Sequence, residues 1–245
     1  GIENTIVGGR AGDALTTGQE NAVFGQQALS ADTAGNHSTA IGHGALFSQN
    51  FSTSTDTNNT AVGFSAGATI TTGLRNTLMG SLAGDALTDA DDNVAVGGLA
   101  LTSDTLGSKT TALGRGALGS QNFTTATDSL NTAVGYFAGQ AVTTGIRNTL
   151  IGTAAGDALT DADLNVAVGQ QALSLDTLGS KSTAVGTIAL ANQNFTTATD
   201  SHNSALGYQA GVNVTTGIKN TLIGSEAGDA LTDADNNVAI GYQAL

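Results

Sequence analysis

A glycine recurs along the whole chain at fixed intervals, preceded by two apolar residues and, in most copies, by Asn-Thr. It stands at Gly8, Gly25, Gly42, Gly63, Gly80, Gly97, Gly114, Gly135, Gly152, Gly169, Gly186, Gly207, Gly224 and Gly241. The spacings run 17, 17, 21, 17 and then begin again, which makes fourteen modules grouped by fours into a 72-residue super-repeat. Asn76-Thr-Leu-Met-Gly80, Asn148-Thr-Leu-Ile-Gly152 and Asn220-Thr-Leu-Ile-Gly224 are successive copies of one module. No linker or composition change interrupts the pattern, so residues 1–245 read as a single continuous array. Self-similarity at this period is the mark of a solenoid, in which each turn buries its apolar side chains against equivalent turns above and below.

Each module reads as a strand, a sharp bend and a second short strand. Thr60-Ala-Val62 and Thr149-Leu-Ile151 are short and rich in β-branched residues, and the following Gly breaks the strand. Gly, Asn and Thr fill the period and leave no 3.6-residue apolar stripe, which argues against helix. Three residues after each Gly is an Ala, as at Ala83, Ala155 and Ala227, where stacked walls come close. Four residues before it is an Asn, as at Asn76, Asn148 and Asn220, suited to a ladder of amides bonding from turn to turn. That Asn is replaced by Ser38, Thr110 and Ser182 in the 21-residue modules. Neighbouring strand positions such as Leu222 and Ile223 are both apolar and point to opposite faces, so both faces call for cover. One face lines the coil. The other asks for a second copy of the chain.

Composition agrees with a thin object. Only 11% of residues are charged and 4% aromatic, against about 25% charged in ordinary domains. With no Trp and 7 Phe there is no material for one thick core. The absence of Cys removes disulfides, thiolate zinc sites and thiol nucleophiles. A net charge of −13 with 7 Lys and Arg argues against nucleic acid and anionic membrane as partners. No apolar run is long enough to insert into a bilayer as a helix. The first residues, Gly-Ile-Glu-Asn, carry neither Met nor signal peptide, so the chain reads as processed or as a fragment of a longer fibre.

The strings Asn-Thr-Ala-Val-Gly-Tyr-Phe-Ala-Gly at 131 to 139 and Asn-Val-Ala-Ile-Gly-Tyr-Gln-Ala-Leu at 237 to 245 resemble the head repeats of trimeric autotransporter adhesins. They are similar also to the repeats of phage tail-fibre and related surface-fibre proteins. The resemblance implies an all-β fold, a left-handed parallel β-roll in each subunit, and three subunits packed intimately about one axis. It also implies a place at the cell surface or on a virion. The modules here, of 17 and 21 residues, are longer than those of adhesin heads.

Two features suggest local chemistry. In the acidic stretch 85–93, Asp89, Asp91 and Asn93 set oxygen ligands at alternate positions, as a hard cation such as calcium requires. Asp161, Asp163 and Asn165 repeat the pattern, as do Asp233, Asp235 and Asn237. The other reading of these residues is a solvated turn whose Asp and Asn satisfy local backbone groups. The 21-residue modules each add a bulge bearing one Phe, at Phe51, Phe123 and Phe195. These Phe either contact a glycan or a neighbouring fibre, or staple the long loop to the coil; Asn-Phe-Ser/Thr there is also a glycosylation sequon. The three His show no metal spacing, the Asp residues recur rather than form one unique triad, and the Gly residues lack the Lys of a phosphate loop. Catalysis is therefore not expected.

The chain reads as a structural and adhesive segment of an extracellular or virion fibre, a rigid spacer and multivalent surface. Its expected partners are copies of itself, with a homotrimer favoured, a host or cell-surface receptor such as a glycan, and neighbouring fibres. Two other readings are a self-assembling extracellular filament subunit and a monomeric calcium- or ice-binding solenoid.

Overall fold

The computed structural model describes residues Gly1–Leu245 and is all-β without a helix: a parallel β-solenoid of about fourteen turns. It divides into two compact units, Gly1–Asp128 and Ser129–Leu245. The first unit holds β1 (Thr5–Val7), β2 (Ala22–Phe24), β3 (Gly35–Asn36), β4 (Thr39–Ile41), β5 (Thr55–Asp56), β6 (Thr60–Val62), β7 (Thr77–Met79), β8 (Val94–Val96), β9 (Gly107–Ser108), β10 (Thr111–Leu113) and β11 (Thr127–Asp128). Seven of these pair in parallel in the order β1-β2-β4-β6-β7-β8-β10, while β3 pairs with β5 and β9 with β11. The second unit holds β12 (Thr132–Val134), β13 (Thr149–Ile151), β14 (Val166–Val168), β15 (Gly179–Ser180), β16 (Thr183–Val185), β17 (Thr199–Asp200), β18 (Ser204–Leu206), β19 (Thr221–Ile223) and β20 (Val238–Ile240). There the parallel order is β12-β13-β14-β16-β18-β19-β20, with β15 beside β17.

Register follows the sequence period. Thr60 lies opposite Thr77, Ala61 opposite Leu78 and Val62 opposite Met79; Thr149 lies opposite Val166 in the same way. A second strand in every module, expected from the sequence, does not form. The two-residue strands β3, β5, β9, β11, β15 and β17 occur only around the 21-residue modules. Elsewhere the return path is made of corners in the left-handed region. In the turn after β12 these are Phe137, Gly139 and Arg147, at φ 55, 60 and 58°. Non-Gly residues pay about 1–2 kcal/mol there, and cross-turn bonds hold them: Arg147 N–H donates to Ser129 O and Ala154 N–H to Tyr136 O.

The interior is built from small residues with matched volumes. Strand middles (Val23, Ala40, Ala61, Leu78, Ala95) and the Ala column (Ala28, Ala45, Ala66, Ala83, Ala100) are fully buried. The position after each column Ala alternates between Leu and Gly, and the structure gives the reason. Leu29, Leu46, Leu101 and Leu118 fill the interior from that corner. Where Gly stands, other side chains occupy the space: a Cβ on Gly84 would meet Leu78 Cδ2 at 2.8 Å and Leu87 Cδ1 at 2.9 Å. Close packing thus fixes large beside small along the coil.

Candidate functional site

The outer face of the strand ladder is the candidate surface. In each three-residue strand the middle side chain points in, and the first and third point out. The third positions in the first unit are Val7, Phe24, Ile41, Val62, Met79, Val96 and Leu113; in the second they are Val134, Ile151, Val168, Val185, Leu206, Ile223 and Ile240. All are apolar, and none is buried. The first positions form a parallel column of Thr with Ala, Val and Ser exceptions. Immediately after the strand-ending Gly, exposed rings stand at Phe64, Tyr136, Tyr208 and Tyr242. The ion pairs lie elsewhere, at the corners and long loops: Arg75 with Asp91 and Asp92, Lys109 with Asp128, and Lys181 with Asp200. Each unit therefore carries a stripe that is apolar, regular and free of formal charge.

Beneath it runs the amide ladder, in a form more dependent on backbone than the sequence suggested. Asn76 Oδ1 accepts the Asn93 N–H at 3.0 Å, and Asn76 Nδ2 donates to Ala90 O at 2.8 Å. Asn148 repeats this with the Asn165 N–H and Ala162 O, and Asn220 with the Asn237 N–H and Ala234 O. Each amide satisfies a donor and an acceptor of the following turn, which an apolar residue there would leave unpaired.

The 21-residue modules contain a group that sequence reasoning missed. Asp32, Asp104 and Asp176 are fully buried. Asp32 Oδ1 accepts the N–H groups of Gly35 and Phe51, each at 3.1 Å, and Oδ2 accepts Gln49 Nε2 at 2.6 Å. Gln49 Nε2 donates also to Ser38 Oγ at 2.8 Å, and its Oε1 accepts Asn59 Nδ2 at 2.9 Å. Ser38 and Thr57 share a hydroxyl bond of 2.7 Å. Asp104 with Gln121 and Thr110, and Asp176 with Gln193 and Ser182, repeat the arrangement. Where the ladder loses its Asn, a Gln from the same module carries the hydrogen bonding onward. The signal was present: Gln49, Gln121 and Gln193 occur in just those modules whose Asn is replaced by Ser or Thr.

Of the two readings of the bulge Phe side chains, the structure favours the staple over the contact group. Phe51, Phe123 and Phe195 are buried, because their own N–H groups are drawn in to the buried Asp carboxylates. What the bulges expose is Asn50, Asn122 and Asn194 and the Ser52, Thr124 and Thr196 that follow. In the acidic turns, Asp89 Oδ1 accepts Thr72 Oγ1 at 2.6 Å and Asp91 Oδ1 accepts the Leu74 N–H at 2.8 Å. Asn93 is buried, its side chain bonded to Gly107 O and the Thr110 N–H. Asp161 and Asp163 repeat the first two bonds, to Thr144 and Ile146, while Asn165 donates to Gly179 O. Asp235 accepts from Ile218, Thr232 donates to Asp233, and Asn237 donates to Asn220. Asp91, Asp163 and Asp235 thus cap backbone N–H groups of the neighbouring turn, and no group of three His, Asp or Glu side chains lies together here. Arg75 grips Asp92 through Nε and Nη2, which holds that carboxyl below the ordinary carboxylate range. His37 and His202 occupy equivalent left-handed corners, each five residues before a strand-ending Gly.

One carboxylate is poorly served. Asp157 Oδ1 is buried without a hydrogen-bond partner, whereas its equivalent Asp85 accepts Thr102 Oγ1 at 2.5 Å. Burial raises the Asp157 pKa, partly opposed by its own backbone N–H. A carboxyl with a raised folded-state pKa binds protons on folding, so its contribution is favourable at low pH and lost as pH rises through the carboxylate range. Asp157→Asn should therefore melt about 1–2 °C above the parent at pH 7 and level with it at pH 3. Thermal unfolding at the two pH values measures this; an equal effect at both would contradict the origin in charge burial.

Comparison with protein-family models, characterised proteins and solved structures finds no match to this chain.

Proposed function

We propose that this chain is a structural and adhesive segment of an extracellular, cell-surface or virion fibre. In this reading it is a left-handed coil whose copies associate side by side, with a homotrimer as the favoured assembly. The observation that carries it is the apolar third position of every three-residue strand, which stays uncovered in the single chain. At roughly 60 Å² per exposed aliphatic side chain, seven such residues leave on the order of 400 Å² open in each unit, the size of the largest apolar patch on a typical monomer, which is often functional. A solvated strand face would be polar at both outward positions, as the wet side of antiparallel sheets is. The unvarying apolar column instead suits a partner with the same regularity, which a second copy provides. The exposed Asn and Thr of the long bulges, recurring every 72 residues, then form the multivalent surface offered to a receptor glycan or a neighbouring fibre.

Sedimentation equilibrium tests the assembly. The expected mass at micromolar concentration is three times the 24.1 kDa of the chain. Ile151→Asp with Ile223→Asp puts two carboxylates on the stripe and should weaken association at least about a hundredfold, since a buried unpaired charge costs several kcal/mol. A parent chain that sediments as a monomer at that concentration overturns the proposal.

A further inference from the structure

We propose that the buried Asp–Gln–Ser/Thr node of each long module is a register lock, a device that forces the repeating chain to coil with its turns in sequence order. The need arises from the regularity of the modules. Strands β4 and β6 have the same inward residue, Ala40 and Ala61, and the same outward Thr, at Thr39 and Thr60. If β4 paired directly with β7, extruding the long module as a loop, Ala40 would meet Leu78 just as Ala61 does in the native register. The outward columns would stay in line. Strand pairing alone therefore discriminates weakly between the native coil and one that skips a turn, as is usual where neighbouring strands carry interchangeable patterns.

The node supplies the discrimination. Asp32 reaches forward to the long module through the Gln49 amide and the Phe51 N–H. Gln49 in turn links Ser38 to Asn59. Extruding residues 42–62, one whole long module with β6, would withdraw Gln49 and Phe51 together. Asp32 would be left in a buried place with only the N–H groups of its own loop, Gly35 at 3.1 Å and Ala34 at 3.4 Å. An unpaired buried carboxylate is among the costliest defects a fold can hold, and a lone buried polar group is a known means of fixing register. The same node recurs at Asp104 and Asp176, so every super-repeat carries one.

The lack of any Cys makes the register readable by cross-linking. Adjacent parallel strands lie about 4.8 Å apart, within reach of a disulfide, and strands two apart lie near 9.6 Å, beyond it. In the full chain, Thr39→Cys with Thr60→Cys reports the native register, and Thr39→Cys with Thr77→Cys reports the skipped turn. The node is removed by Asp32→Leu with Gln49→Leu. Gln49→Met, which leaves Asp32 its backbone donors, serves as a second variant if the double one does not fold. Leu87→Ala, a core change remote from the node, controls for general destabilisation. The proposal expects the 39–77 cross-link to rise about tenfold over the parent in the node variants, and to stay at the parent level in Leu87→Ala. No rise in any node variant that folds, or an equal rise in Leu87→Ala, overturns it. So does failure of Gln49→Met to fold, since the node would then be needed for folding itself.

Discussion

Replacing Gly152 with Val should cost at least about 4 kcal/mol and lower the melting temperature by about 10 °C or more. Gly152 ends its strand at φ 137°, a region essentially closed to residues bearing a side chain. A Cβ built there would lie 2.4 Å from Gly169 O and 2.6 Å from Gly169 C, both main-chain atoms of the next turn. No rotamer change relieves a clash with backbone, and moving the backbone would open the strand pairing that sets the pitch. Gly98→Ala supplies the contrast, for its nearest neighbour is Ser81 O at 3.8 Å and its φ is ordinary. That variant should melt within about 1 °C of the parent. Circular dichroism melts of both variants measure the difference. A Gly152→Val protein as stable as the parent would mean that the turns do not stack in the register described.

The second large effect is expected at Asp104. Truncating it to Ala removes the acceptor of the Gly107 N–H, the Phe123 N–H and Gln121 Nε2 within a fully buried site. Breaking a buried charged network on one side costs about 3–5 kcal/mol, because the remaining donors are left in low dielectric. The exposed Asp89, which accepts a single Thr hydroxyl, provides the comparison: Asp89→Ala should cost under about 0.5 kcal/mol. Urea unfolding of the two variants separates them. Similar losses at both positions would show that the Asp104 carboxylate is not the hub of its module.

Much of this was legible in the repeat. The three-residue strand, the Gly that ends it, the buried Ala and the Asn ladder each recur at one position of the period, and stacking explains all four. What the sequence suggested for the bulge Phe was less secure, because an aromatic residue in an insertion suits an outward contact and an inward staple equally well. The outcome hangs on Asp32, Asp104 and Asp176, which draw the Phe N–H groups inward and which nothing local in the sequence marks as buried. Among 20 acidic residues most are solvated, so three that serve the interior are hidden by the common behaviour of their type. The Asp-x-Asp-x-Asn turns were ambiguous for a related reason. Alternate oxygens are what both a cation and a set of orphan N–H groups demand, and only the position of the adjacent turn shows Asp91 receiving the Leu74 N–H.

By itself the sequence determined a stacked, all-β array and the period of its repeats, since modules of 17 and 21 residues with Gly, Ala and Asn in fixed places admit few other solutions. Only the tertiary structure decided how each longer module is held to the coil and why Gly and Leu alternate at one corner. It also decided which carboxylates serve the interior. These depend on what lies above and below each residue, at separations of 10 to 21 positions along the chain, and a side chain's partner in the next turn becomes known only when the turns are laid on one another.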